Sequence, residues 1–110
     1  MHDYVKMQVM CPPEFLDTMH DAISDGGGGV IGNYTHCMFV SKGMGYFMPK
    51  EGSNPSVGAS GQLEQIDEVK IEFLCARDKV KSVMEKIRIV HPYEEVPIDI
   101  IPLLNKEDFS

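Results

Sequence analysis

Polar and apolar residues alternate from the start of the chain, with Val5, Met7 and Val9 set between Tyr4, Lys6, Gln8 and Met10. A period of two places every second side chain on one face, so Tyr4 to Met10 is predicted as a half-buried strand. Pro12 and Pro13 then open a helix. Glu14 and Asp17 lie in its first turn, where the macrodipole favours carboxylates, and Phe15, Met19, Ala22 and Ile23 share one face. Asp25 and the glycines that follow end it. Tyr34 to Phe47, rich in β-branched and aromatic residues, is the second predicted strand. The third lies within Leu63 to Cys75, where Val69, Ile71, Phe73 and Cys75 alternate with Glu68, Lys70, Glu72 and Leu74. Asp78 is the expected N-cap of a second helix, whose apolar stripe is Val80, Val83, Met84 and Ile87, with Lys79, Lys81, Glu85 and Lys86 in solvent. His91-Pro92 stops that helix, because the residue before a proline is pushed out of the helical region. Val96 to Leu103 is the fourth strand. Pro97 and Pro102 cannot donate ladder hydrogen bonds, which predicts a short or edge strand. From Asn105 the chain is polar and expected to be loose.

The order β-α-β-β-α-β predicts an α+β, ferredoxin-like fold: one four-stranded antiparallel sheet with both helices on one face. Residues 1–110 read as a single domain with its ordered core over 3–104. Strand two offers Tyr34, His36, Met38 and Val40 on one face and Thr35, Cys37 and Phe39 on the other, and neither set is plainly polar. A closed homo-oligomer is the expected cover for the sheet face that the helices leave bare. The glycine-rich stretch 42–62, with Pro49 and Pro55, is too long for a simple hairpin connection and reads as a loop that either binds something or moves.

Composition narrows the partners. At 110 residues and 43% hydrophobic content the chain supports one core, and its formal charge of -7 argues against a nucleic-acid backbone or an anionic membrane. Cations or a protein surface fit better. Cys11, Cys37 and Cys75 are odd in number and widely spaced, so reduced thiols in a cytoplasm are the simplest reading. Neither a basic leader followed by an apolar run nor a stretch of about 18 apolar residues is present, and a soluble, unexported protein is expected.

Candidate chemistry is sparse. Gly27 to Gly32 satisfies the letters of a dinucleotide-binding glycine motif, but these glycines follow a helix and precede a strand, so no helix N-terminus would face a phosphate. The methionines read as core filling. His36 and Cys37 are both metal ligands by type, yet neighbours on a regular strand point to opposite faces, so one ion could take only one of them without a bulge. His91, Glu94 and Glu95 make a better constellation, because a turn can converge an imidazole and carboxylates into a set suited to zinc or a similar divalent ion. The competing reading is structural: Pro92 fixes the turn, Tyr93 buries its ring, and a carboxylate accepts backbone N–H groups. Ser41, Ser53, Ser56 and Ser60 lack any nucleophile-elbow setting. An enzymatic reading would have to use His91 with Glu95 or Asp99 as its acid/base pair.

Gly32-Asn33-Tyr34-Thr35-His36-Cys37-Met38-Phe39, Gly45-Tyr46-Phe47-Met48-Pro49, Gly52-Ser53-Asn54-Pro55 and His91-Pro92-Tyr93-Glu94-Glu95-Val96 with Asp99-Ile100 occur in this order. Together they resemble the small domain inserted in bacterial, YqfO-type members of the NGG-one-interacting factor three family. The resemblance runs from the first strand to Leu103, with the chain read as a free-standing copy. It implies a fold similar to the PII signalling proteins and the CutA divalent-cation tolerance proteins, and a trimer. The larger domain of that family carries a dinuclear metal centre in motifs that this sequence lacks, so a hydrolase or cyclohydrolase activity is not implied. Pro97-Ile98, where the family more usually has a small residue and an aromatic, and the longer glycine run are departures from its pattern.

The combined expectation is a trimeric, non-enzymatic binding or regulatory module. Its ligand would be a divalent cation such as zinc or copper, or a small molecule, held between subunits by His36, His91, Tyr93, Glu94 and Glu95, with His36, His91 and Glu95 as the metal ligands. A ligand-free interaction protein that uses loop 42–62, and a metal-dependent hydrolase, stay open beside it.

Overall fold

The computed structural model describes residues 3–55 and 58–110. Its strands are β1 (Tyr4–Cys11), β2 (Phe39–Phe47), β3 (Glu64–Ala76) and β4 (Ile98–Pro102), and its helices α1 (Leu16–Gly26) and α2 (Val80–Val90). They form one antiparallel sheet in the order β2-β3-β1-β4. The predicted β-α-β-β-α-β fold is the one observed.

The core follows from the period-two pattern. Val5, Met7, Val9 and Cys11 of β1 stand directly opposite Cys75, Phe73, Ile71 and Val69 of β3, and all eight are buried. Met19 and Ile23 of α1 and Val83 and Ile87 of α2 close over them with no exposed surface. Burial of this kind supplies the main driving force for folding, at about 25 cal/mol per Å² of apolar surface. The helices approach very closely where Gly26 meets Val83: a Cβ on Gly26 would lie 2.8 Å from the Val83 Cα. At the end of α1, Gly27 adopts a left-handed φ of 102°, and the N–H of Gly28 reaches the Ile23 carbonyl at 2.9 Å. The helix therefore ends on glycine, as expected.

Several element boundaries differ from the sequence reading. Tyr34 is not in a strand: Gly32 and Asn33 reverse the chain so that Ile31 and Tyr34 bridge each other, and His36 has a left-handed φ of 62°. The expected face alternation of Tyr34, His36 and Met38 therefore does not apply, and β2 begins at Phe39. The loop expected over 42–62 is shorter, because β2 continues through Lys42 to Phe47 and β3 begins at Glu64. Gly43 to Phe47 pair with Glu68 to Glu64 beyond the last β1 contact at Cys11–Val69, so the two strands project as a ribbon. The ribbon stretches the molecule to 51 × 24 × 24 Å. Asp78 is not an N-cap; it sits in a 3-10 turn, Arg77–Lys79, and no side chain caps α2. The tail forms a 3-10 turn, Lys106–Phe109, in place of the loose segment expected. His91 ends α2 with an extended backbone, as the following Pro92 requires. β4 is an edge strand, paired only with β1.

Gly26→Ala is expected to force α1 and α2 apart and to destabilise the domain by about 1–3 kcal/mol. Urea unfolding of the two proteins measures this, and equal midpoints would mean that the helix contact accepts a methyl group.

Candidate functional site

The turn after α2 gathers three distant parts of the chain. His91 is 7% exposed, and its Nε2 lies 2.7 Å from the carbonyl oxygen of Met10 near the end of β1. Since a carbonyl only accepts, Nε2 carries the ring proton. Nδ1 then accepts from the backbone N–H of Tyr93 at 3.2 Å. Both nitrogens are in use, so in this arrangement His91 has no lone pair for a cation. The metal role expected of it gives way to a structural one: the ring joins the helix exit to the central strand.

Tyr93 stacks edge-on against His91, with ring centroids 4.7 Å apart, and its hydroxyl donates to Glu68 Oε2 at 2.7 Å. Burial, and then the Glu68 carboxylate, raise the Tyr93 hydroxyl above its ordinary pKa. Glu68 in turn depends on Gly45 in the neighbouring strand, because a Cβ there would overlap its carboxylate. The exposed Glu94 accepts the backbone N–H of Asn54 at 2.7 Å, which ties the 48–63 loop to the turn. Glu95 is exposed. Beside the turn lies a groove of about 630 Å³ lined by Pro12, Pro13, Glu14, Phe15, Ile66, Asp67 and Pro92. Its charged lining groups are both carboxylates.

His36 makes its contacts elsewhere. Its backbone carbonyl accepts from His20 Nε2 at 3.0 Å, its Nδ1 lies 2.9 Å from Thr35 Oγ1, and the two imidazole rings are 5.5 Å apart at 80°. The structure thus joins His91, Tyr93 and Glu94 into one hub and sets His36 with α1. Among the described residues, no group of three His, Cys, Asp or Glu side chains could hold a metal ion. The sequence reading missed Glu68, Gly45, Asn54 and His20. His20 alone had a local signal, since it borders the apolar stripe of its helix next to Met19. Ser56 lies outside the described residues.

No family profile matches the chain. A protein of Halalkalibacterium halodurans named GTP cyclohydrolase 1 type 2 homolog is 41% identical over 101 residues, covering 92% of this chain and 27% of that protein. A solved structure of a Bacillus cereus protein related to NIF3 superimposes with a TM-score of 0.82 at 38% identity, over 94% of this chain and 26% of that one. Over most of its length this chain is similar to a YqfO-type segment of NIF3-family proteins. CutA from Archaeoglobus fulgidus, a periplasmic divalent cation tolerance protein, superimposes with a TM-score of 0.69 at 14% identity, over 96% of this chain and 90% of that one, and shares the fold. The chain spans about a quarter of the length of the curated relatives it matches. No helix among its described residues is long and apolar enough to cross a membrane.

Tyr93→Phe should cost about 1–3 kcal/mol by leaving the half-buried Glu68 carboxylate without its donor. Gly45→Ala should do the same by displacing Glu68. A double-mutant cycle by urea unfolding measures the coupling, and fully additive effects would separate Gly45 from the Tyr93–Glu68 pair.

Burial, followed by nearby carboxylates, pushes Cys11 and Cys75 from an ordinary 9.0 up to about 11. Between pH 9 and 11 the unfolded thiols lose protons that the folded ones keep, so their contribution to stability is whole below pH 9 and is lost as pH rises to about 11. Tyr93 acts with the same sign at its own higher range. Unfolding midpoints are expected to fall over this window, and Cys75→Ser should reduce the fall.

Proposed function

We propose that this chain is a non-enzymatic binding or regulatory module that works as a closed homotrimer, holding a divalent cation or small ligand where subunits meet. The observation that carries the reading is the bare sheet face. The helices cover one side, while Tyr4, Phe39 and Ile101 are 46%, 67% and 41% exposed, with Leu74 among the strand residues turned to the same side. These apolar side chains stand among Lys6, Gln8, Lys70, Glu72 and Asp99 on the same face, a mixed surface that suits an interface with a second copy, and a closed ring satisfies every subunit alike.

Three observations support binding over catalysis. The titratable groups with resolved shifts, Cys11, Cys75 and Tyr93, are all moved away from neutrality, which opposes their use as nucleophile or general base. His91, the base of the enzymatic reading, already has both nitrogens engaged. The groove beside the turn carries only carboxylates, Glu14 and Asp67, as its charged groups, which suits a cation, and the exposed Glu94 and Glu95 follow its lining residue Pro92 in sequence. Through the Glu94–Asn54 bond, occupancy of this region would be felt by the 48–63 loop, the segment best placed to meet a protein partner. The likeness to a divalent cation tolerance protein agrees with the choice of ligand class. The activity in the relatives' printed name belongs to proteins nearly four times as long. Three free cysteines fit a reducing, cytoplasmic setting.

Native mass spectrometry of the metal-free protein is expected to give a trimer, and Phe39→Glu is expected to give monomer by placing a charge on the covered face. A wild-type monomer at tens of micromolar would overturn the assembly, and with it a ligand between subunits.

A further inference from the structure

We infer that His20 and His36 form a two-imidazole site for a divalent transition-metal ion within a single subunit; the inference takes only its ligand class from the cation reading above. The rings come from different elements, α1 and the connection that follows it, yet their centroids are 5.5 Å apart at 80°. With metal–nitrogen bonds of about 2.0–2.1 Å, two imidazoles on one tetrahedral ion place their ring centres roughly 5 Å apart. The observed spacing is therefore close to that of a ligand pair, reached before any ion is bound.

Hydrogen bonding sets the available nitrogens. His20 Nε2 points at the His36 carbonyl, which can only accept, so this nitrogen is protonated and Nδ1 keeps its lone pair. His36 Nδ1 lies 2.9 Å from the Thr35 hydroxyl, and when it donates to that oxygen Nε2 carries the lone pair for a metal. One nitrogen oriented by a carbonyl or hydroxyl and the other left open is the pattern of ligating histidines. It is also what separates this pair from His91, whose two nitrogens are both spent on backbone.

The backbone around His36 supports the assignment. A left-handed φ of 62° in a non-glycine residue costs on the order of 1 kcal/mol. The fold holds it there through the Cys37 N–H on the Gly29 carbonyl and the Gly29 N–H on the Leu74 carbonyl of β3, each 2.8 Å. A relaxed, extended His36 would belong to the strand alternation and would turn away from α1. No third His, Cys, Asp or Glu completes a cluster among the described residues, so water fills the remaining positions and the ion exchanges readily. Imidazole ligands select zinc, copper or nickel over calcium and magnesium.

Zinc chloride is the probe of choice, since zinc is redox-inert beside free thiols. Calorimetric titration of the metal-free chain is expected to give one zinc per chain, with His20→Gln and His36→Gln each weakening affinity at least about tenfold, or roughly 1.4 kcal/mol. In the wild type, imidazole nitrogen resonances are expected to move at His20 Nδ1 and His36 Nε2 and not at His91, a readout that needs no variant to fold. Wild-type affinity in either histidine variant, or zinc shifts at His91, would overturn the site. Native mass spectra separate the two proposals. A monomer that binds zinc through this pair sinks the trimer and keeps the site, whereas a trimer whose zinc stoichiometry and affinity are both unchanged in His20→Gln sinks the site and keeps the interface ligand.

Discussion

The imidazole of His91 is the joint on which the candidate region depends. Its protonated nitrogen holds a carbonyl of the central strand, and its other nitrogen fixes the first residues of the turn. That clamp, with the Pro92 turn, helps to bring together Tyr93 and Glu68, and Glu94 and Asn54, pairs that are 25 and 40 residues apart in the chain. A histidine can thus be the most informative residue of a sequence because of where it places its neighbours.

The projecting ribbon gives that placement its reach. β2 and β3 run past the end of β1, and at their base Glu68 lies across Gly45 and meets Tyr93. A glycine in a strand interior usually weakens it, and here the missing side chain makes room for a carboxylate from the adjacent strand. The same base lies beside the acidic groove and the anchored loop. Strand pairing, groove and loop are therefore coupled through a few side chains, none of which belongs to the hydrophobic core.

Much of the fold was legible in the sequence because it rests on local periodicity. The alternation in β1 and β3, the apolar stripes of both helices and the Pro92 stop each act within a few residues of their cause. Tyr34 to Met38 misled for an equally physical reason: aromatic and β-branched composition marks a strand only while the backbone stays extended, and Gly32-Asn33 turns it back. The site was less legible. His36, Tyr93 and Glu94 stood out by type, but Glu68, Asn54 and His20 enter through contacts between distant segments. Only the folded chain reveals that both nitrogens of His91 are engaged, while among the described residues His20 Nδ1 and His36 Nε2 have no hydrogen-bond partner.

Pro97 precedes β4 and Pro102 is its last residue, at one open side of the sheet. Pro102 sits in the paired register opposite Val5, and because the next N–H, that of Leu103, points to Tyr4 of β1, the donor missing at Pro102 is one that would have faced the open edge. A foreign strand arriving there would find an incomplete ladder, so this side of the sheet is a poor template for fibre growth.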